Sequence, residues 1–336
     1  MAESRKRATL REVAEATGLS TAAVSYALRG LQVSKETEQR VRKAAAELGY
    51  EADPIARALA SGRTSMVGLL SGSLEDLWQQ QLFFGTGRAL QTRDLYALIL
   101  DADGDPAREL ILAKQLRDQR VDGLIVSPLD PSAQAWGEIA ESLPVVSIGD
   151  SLSNAKQAGE VLFDNRAGVT LALEHLHELG HRRITVLTTT GPSTPDRPAD
   201  TYVLEEADRL RLDVEVLASP SSLSEASAVA DRALSAADPP SALFCLSDSI
   251  AYGCFAAARD RNLEIPGELS IVGYDDHPMS KLLSPALTTV DWDLDSIIRS
   301  ATQLVVSAIE GKPRRRRMVK PPTLRNRAST GPRNPD

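Results

Sequence analysis

Residues 9–28, TLREVAEATGLSTAAVSYAL, decide the fold of the N-terminal part of this chain. Thr9-x-x-Glu12 is a capping box, whose hydroxyl and carboxylate satisfy the orphan backbone donors of a helix start, and Leu10, Val13 and Ala14 then fall on one face. Gly18 breaks that helix, and Ser20 caps a second one with Val24, Ala27 and Leu28 turned inward. The spacing of Ala14, Gly18 and Val24 suits two helices that cross steeply: a small residue permits close approach, a glycine makes the turn and a branched residue fills the gap. Outward from this pair, a third helix starts at Ser34, keeps Val41, Ala44, Ala45 and Leu48 on one side and stops at Gly49. A fourth short helix is expected after Asp53, an N-cap followed by Pro54 at the first helical position, through Ile55 to Ala60 and ending at Gly62. A helix of about eight residues does not hold alone in water, so this one folds only against a partner.

Charge separates this part from the rest. Residues 1–65 hold 11 Lys and Arg against 8 Asp and Glu, a balance of +3, whereas the other 271 residues hold 27 against 38, a balance of −11. Only the N-terminal part suits a phosphate backbone, and its modest charge implies weak binding by one copy and therefore dimerisation.

With 336 residues, two or three domains are expected, and an apolar fraction of 42% is that of a globular chain. No apolar run reaches membrane length, and Met1 to Arg7 is polar and basic without a hydrophobic stretch behind it, so the expectation is a cytoplasmic protein with no membrane partner. Cys245 and Cys254 sit in apolar surroundings and read as buried thiols of a reducing compartment.

From Met66 onward, short apolar runs at 66–70, 95–100, 121–126 and 145–148 alternate with helical patterns such as 107–120 and 132–142, the period of a parallel sheet covered on both faces. The pattern restarts with 161–163, 184–187, 214–217, 242–246 and 269–272, which implies two similar lobes. Ligands in such sheets bind beyond the carboxyl ends of the strands, so two facing lobes make a cleft there.

The ordered segments TLREVAEATGLSTAAVSYAL, VSKETEQRVRKAAAELGY, ADPIARALASGRT, VLFDNRAGVTLALEHLHELGHRRITVL, FCLSDSIAYGCFAAARDRNLEIPGELSIVGYDDHP, SPALTTVDWD and LRNRAST are similar to landmarks of the lactose-repressor/galactose-repressor family of bacterial regulators. The resemblance implies an all-α helix-turn-helix head at 1–51, a hinge helix and linker at 52–64, and an α/β two-lobed effector and dimerisation domain at 65–336. That domain is periplasmic-binding-protein-like (type I), with a first lobe at about 65–161 and 292–321, a second at about 162–291 and 322–330, and crossings near residues 162, 291 and 322. Departures are Ala23 where the family usually has Thr, Arg29 where it has Asn, and a loop between Ser25 and Val33 that is one residue shorter.

By the same resemblance, the second helix lies in the major groove of operator DNA and exposes Thr21, Ala22 and Tyr26, while Thr9, Ser25 and Ser34 reach phosphates and Leu59 wedges into the minor groove. Carried over by position, the cleft set is Trp78, Gln79, Ser127, Asp150, Arg197, Asp248 and Asp275. An aromatic face beside carboxylates and an arginine suits a small polyhydroxylated ligand. Ser221-Ser222-Leu223 stands where some sugar-responsive relatives have tryptophan.

Other chemistry has less support. Gly85-x-Gly87 lacks a third glycine and a strand running into it, and no Walker loop or nucleophile elbow occurs. His175, His177 and His181 cluster at a helix end without completing a metal set, and read as a solvated terminus. Arg314 to Arg317 reads as alternating exposed arginines on a late strand. The sequence therefore implies a transcription regulator, a repressor, that binds a palindromic operator as a homodimer or a dimer of dimers. It is controlled by a sugar or related metabolite, with no cofactor, metal or catalytic residues. A solute receptor or a sugar-modifying enzyme on the same two-lobed fold stays open as an alternative.

Overall fold

The computed structural model describes residues 8–28, 30–31, 33–50, 62–189, 199–220, 222–312 and 317–333, and the chain divides into two compact units, residues 1–64 and 65–336. The expected helix after Asp53, with Leu59, and the segment holding Arg197 lie outside the described residues.

In the first unit, helices α1 (Leu10–Thr17), α2 (Thr21–Leu28) and α3 (Lys35–Leu48) pack around Val13, Val24 and Val41, one fully buried valine from each helix. Local chemistry sets both ends of α1 and α3 and the start of α2. Thr9 and Glu12 complete the capping box of α1, Ser20 Oγ accepts from Ala23 N–H at 3.2 Å at the start of α2, and Ser34 Oγ accepts from Thr37 N–H at 3.2 Å at the start of α3. Gly18 and Gly49 end α1 and α3 at φ +65° and +63°, a conformation nearly free of cost only for glycine. One residue departs from the sequence reading. Leu48 is exposed, although it follows Val41 and Ala45 on the same helix face, and it stays outside the hydrophobic cluster of the three helices.

The second unit carries two six-stranded sheets. Strands β1 (Met66–Ser71), β2 (Tyr96–Asp101), β3 (Gly123–Val126), β4 (Val145–Gly149), β5 (Gly159–Phe163) and β11 (Arg317–Lys320) form the first, in the order β11-β5-β4-β3-β1-β2 and all parallel. Strands β6 (Arg183–Thr189), β7 (Asp213–Ser219), β8 (Ala242–Cys245), β9 (Ser270–Tyr274), β10 (Thr288–Asp291) and β12 (Thr323–Arg325) form the second, in the order β12-β10-β9-β8-β6-β7, with only β12 antiparallel. The run at 161–163, which restarts the pattern in sequence, is therefore the fifth strand of the first sheet. Periodicity cannot tell a last strand from a first one.

Helices α4 (Leu77–Gln91), α5 (Pro106–Asp118), α6 (Ala135–Ser142) and α11 (Leu294–Ile309) cover the first sheet, and α7 (Asn165–Glu178), α8 (Ala199–Leu210), α9 (Leu223–Leu234) and α10 (Asp248–Asp260) the second. Both faces of a strand are thus buried, and its apolar residues alternate between two layers: Leu124 and Val126 pack toward α5 and α6, and Ile125 packs toward α11. The chain passes between the sheets after β5, after β10 and between β11 and β12. Phe163 and Trp292 stand at the first two passages with ring centroids 5.1 Å apart, inside one hydrophobic cluster that draws on both lobes.

The histidine cluster differs from its sequence reading. His181 is buried, with Nδ1 2.8 Å from Ser241 Oγ and Nε2 3.0 Å from Ser270 Oγ, and His175 Nε2 meets Thr330 Oγ1 at 2.9 Å. Their imidazoles fasten the C-terminal segment to the second lobe, a long-range contact that spacing along one helix does not reveal. Cys245 and Cys254 are buried free thiols whose sulfurs lie 3.4 Å apart. Arg317, first residue of β11, is exposed, and 314–316 lie outside the described residues.

Candidate functional site

On the head, Thr21, Ala22 and Tyr26 lie exposed on α2, opposite the buried Val24 and Ala27, and Tyr26 keeps 42% of its surface open. A short helix whose far side is bare and carries a hydroxyl, a methyl and a phenol offers hydrogen-bond and apolar contacts that match base edges in a major groove. Ser25 is half-buried on the same helix. The hydroxyls of Thr9 and Ser34 are engaged as helix caps, so each sits at an N-terminus where backbone N–H groups also favour an anion.

In the second unit, the first-lobe wall starts where β1 ends. Asp76 caps α4 by accepting Gln79 N–H at 2.9 Å, while Gln79 Oε1 accepts from Ser71 Oγ at 2.7 Å and Gly72 N–H at 3.1 Å. Gln79 is thereby tied to the strand end, which places it at the carboxyl edge but commits its carbonyl to the backbone. Trp78 is buried, meets Phe163 edge to face at 5.5 Å, and keeps a buried indole N–H without an acceptor among the described residues. Ser127 follows β3 and Asp150 follows β4, both buried at the same edge of the sheet.

The second-lobe residues behave differently from one another. Asp248 is 1% exposed, and its carboxylate is filled by protein donors: Tyr274 N–H at 2.8 Å and Thr289 Oγ1 at 2.6 Å on one oxygen, His277 N–H at 2.8 Å and Ser280 Oγ at 2.6 Å on the other. Burial pushes this carboxyl up to about 6, against the pull of those four hydrogen bonds. With both oxygens hydrogen-bonded, Asp248 holds β9, β10 and the 3-10 turn at 278–281 together. Asp275, one residue beyond β9, stays partly open and accepts Asp248 N–H at 3.3 Å. Burial, then the negative charges of Asp76 and Asp248, raise it well above the usual carboxylate range.

A cavity of about 330 Å³ opens between the lobes beside the first passage of the chain. Asp150, Phe163, Asp164 and Arg317 line it from the first sheet and its exits, and Arg166 and Tyr202 from α7 and α8. Arg166 is paired with Glu205 at 2.7 Å and lies 4.3 Å over the Tyr202 ring, so its guanidinium is held flat at the wall. Carboxylates, a guanidinium and aromatic faces around such a volume match a small polar ligand with apolar faces. Of the residues read from sequence, Asp150 lines this cavity; Trp78 touches it through Phe163; Gln79, Ser127, Asp248 and Asp275 lie elsewhere along the strand ends. Sequence reasoning missed Phe163, Arg166, Tyr202, Asp76 and Ser247. Phe163 and Asp76 had visible signals, an aromatic at the first passage and an Asp-x-x-Gln cap at a strand exit, whereas Tyr202 joins only through the packing of α8.

Comparison with known proteins gives concordant results. Residues 9–53 match the bacterial regulatory proteins of the lacI family, and residues 173–330 match the periplasmic binding protein-like domain. The ribose operon repressor of Haemophilus influenzae is 31% identical over 288 residues, which cover 84% of this chain and 86% of that protein. The HTH-type transcriptional repressor PurR of Vibrio atlanticus is 27% identical over 322 residues, covering 93% of this chain and 95% of that one. Among solved structures, the lac repressor dimer bound to operator and the anti-inducer ONPF superimposes with a TM-score of 0.84 at 23% identity, over 97% of this chain and all of that one.

Proposed function

This chain belongs to the lacI family of bacterial regulatory proteins, and on that premise we propose that it is a repressor that binds a palindromic operator as a dimer and is controlled by a small molecule held between its lobes. The observation that carries this reading is the pairing of a bare reading face on α2 with an interlobe cavity in one chain. A receptor for transported solutes needs the second feature and has no use for the first. The relatives are named as repressors, and both oxygens of the buried Asp248 carboxylate are taken up by protein donors.

Thr21, Ala22 and Tyr26 read bases, Thr9, Ser25 and Ser34 lie at phosphates, and the segment 52–64 with Leu59 joins head to sensor and enters the minor groove. In the cavity, Asp150 contacts the effector together with Phe163, Arg166 and Tyr202, while Trp78, Asp275 and Arg197 are contacts that the family resemblance alone supplies. The effector is a sugar or related polyhydroxylated metabolite, because aromatic faces stack on its apolar side while carboxylates and a guanidinium pair with its hydroxyls. DNA as the target places the protein in the cytoplasm. Among the described residues, no helix is long and apolar enough to cross a membrane.

A thermal-shift screen of sugars, nucleobases and amino acids against the full chain tests the effector half of the proposal. A ligand at about a thousand times its Kd stabilises the native state by about 4 kcal/mol. A hit must also change operator affinity; a hit that raises stability and leaves DNA binding untouched sinks the regulatory reading.

A further inference from the structure

The interlobe cavity changes character along its length. One end lies at the carboxyl edge of the first sheet, where Asp150 follows β4, Asp164 follows β5 and Arg166 stands in the first turn of α7. The other end runs down the face of β11, the last strand of that sheet. Val319 stands beside Leu162 in the parallel register, and Arg317, two residues earlier, shares its face of the strand. Lys320 is turned to the opposite face, where it donates to Ser296 Oγ at 2.7 Å. Arg317 is three residues from Lys320, the partner of Phe163, so at about 3.3 Å per residue its backbone lies roughly 10 Å below the carboxyl edge.

The two ends also differ in what they offer a ligand. At the carboxyl edge, charges of both signs are already in use among themselves. Arg166 donates through Nη2 to Glu205 and lies over the Tyr202 ring, and Asp164 Oδ1 accepts Ala167 N–H at 3.1 Å while its second oxygen has no protein donor among the described residues. Asn165 accepts from Tyr274 Oη at 3.1 Å, which leaves its amide hydrogens to give. Such a mixture of donors and acceptors matches hydroxyl groups, with Phe163 and Tyr202 as apolar walls. Arg317 is different. It is exposed, and no carboxylate among the described residues lies within ion-pair distance of it, Glu160 beside it in the register included. A guanidinium without a counter-charge, set against Leu162 and Val319, favours a planar or multidentate anion.

We propose that the effector is a polyhydroxylated metabolite with an acidic group at one end, a carboxylate or a phosphate ester. Its hydroxyls lie at Asp150, Asp164 and Arg166, and its acid meets Arg317. The assignment rests on the interlobe effector site of the proposed function and narrows its ligand from sugars in general to their acidic derivatives. A neutral sugar leaves Arg317 to water alone. An α-amino acid carries both charges on one carbon and does not separate them along the cavity.

The test is calorimetric titration of the full chain with two matched series of probes: D-ribose, D-ribonate and D-ribose 5-phosphate, then D-glucose, D-gluconate and D-glucose 6-phosphate. Inorganic phosphate alone is the control. In at least one series an acidic member should bind about tenfold or more tightly than its neutral parent, the effect of one hydrogen bond to a charged group. The carboxylate and ester arms show which acid the site takes. Arg317→Gln should lower that member to the level of its parent, and Arg317→Lys should keep part of the preference. Both affinities are compared within one variant, so a change in overall stability does not alter the comparison. Neutral sugars that bind as tightly as their acids and esters overturn the proposal and leave the effector reading standing. A preference that survives Arg317→Gln, or that inorganic phosphate reproduces by itself, does the same. If none of the six sugars binds, this proposal and the sugar reading of the site fall together.

Discussion

Replacing Gly273 by alanine puts one methyl group against the carboxylate that organises the second lobe. A Cβ built at Gly273 falls 2.1 Å from Asp248 Oδ1, 3.2 Å from Asp248 Cγ and 2.9 Å from a methyl of Leu287. Neither side can yield cheaply. Gly273 is paired with Thr289 inside the second sheet, and the Asp248 carboxylate is pinned by four donors on three segments of chain. Moving Oδ1 away breaks its bonds to Tyr274 N–H and Thr289 Oγ1, and hydrogen bonds to a charged group are worth about 1.5 to 3 kcal/mol each. Leaving it in place imposes an overpacking strain of about 1 to 3 kcal/mol or more. The cheaper mixture of the two predicts a loss of about 3 to 4 kcal/mol, read as a lowered urea midpoint with Trp292 fluorescence as the probe. A loss below about 1 kcal/mol would refute the reasoning, since it would mean that the Asp248 network moves freely and is not the lobe's scaffold.

Further outcomes follow from the same structure. Tyr26→Ala and Thr21→Ala should each cost about 1 to 3 kcal/mol at the operator and relax preference at one position per half-site, with binding to random DNA unchanged in a competition assay. The Asp248 carboxyl, raised from 3.8 to about 6, should make the protein more stable at about pH 4 than at about pH 7 by about 2 kcal/mol from this group alone, the advantage being fully present below 3.8 and lost as pH rises through 6. Asp248→Asn should flatten that part of the denaturation profile. His181 runs the other way: burial lowers it below the ordinary 6.5, so its contribution is present above that value and lost as pH falls, and His181→Gln should remove the acid-side loss in the same titration.

How much of this was legible in the sequence varies with the range of the interaction. The head was, down to single caps, because Thr9, Glu12, Gly18, Ser20, Ser34 and Gly49 act on backbone a few residues away. The alternation of strands and helices was legible for the same reason. Strand order was not: Val161 belongs with the first sheet because it pairs with Ile148 and Met318, and one of those partners lies more than 150 residues away. Asp248 shows the limit at the site. Sequence places it after a strand and at the start of a helix, and the donors that reach its carboxylate from His277, Ser280 and Thr289, 29 to 41 residues on, are not legible there. Asp76 was hidden for the converse reason, since its cap was visible in sequence and Ser247, which donates to its second oxygen, lies 171 residues on.

Everything proposed for the head depends on α2 reading a palindromic site for a dimeric repressor. The most direct measurement is selection of DNA from a random pool by the full-length protein, followed by footprinting of the enriched sequence with wild type and Tyr26→Ala. The expected result is enrichment of an inverted repeat, protection of both half-sites by the wild type, and loss of protection by the variant at concentrations that leave its binding to random DNA unchanged. A pool that stays random after selection, or a footprint that Tyr26→Ala reproduces, would contradict it.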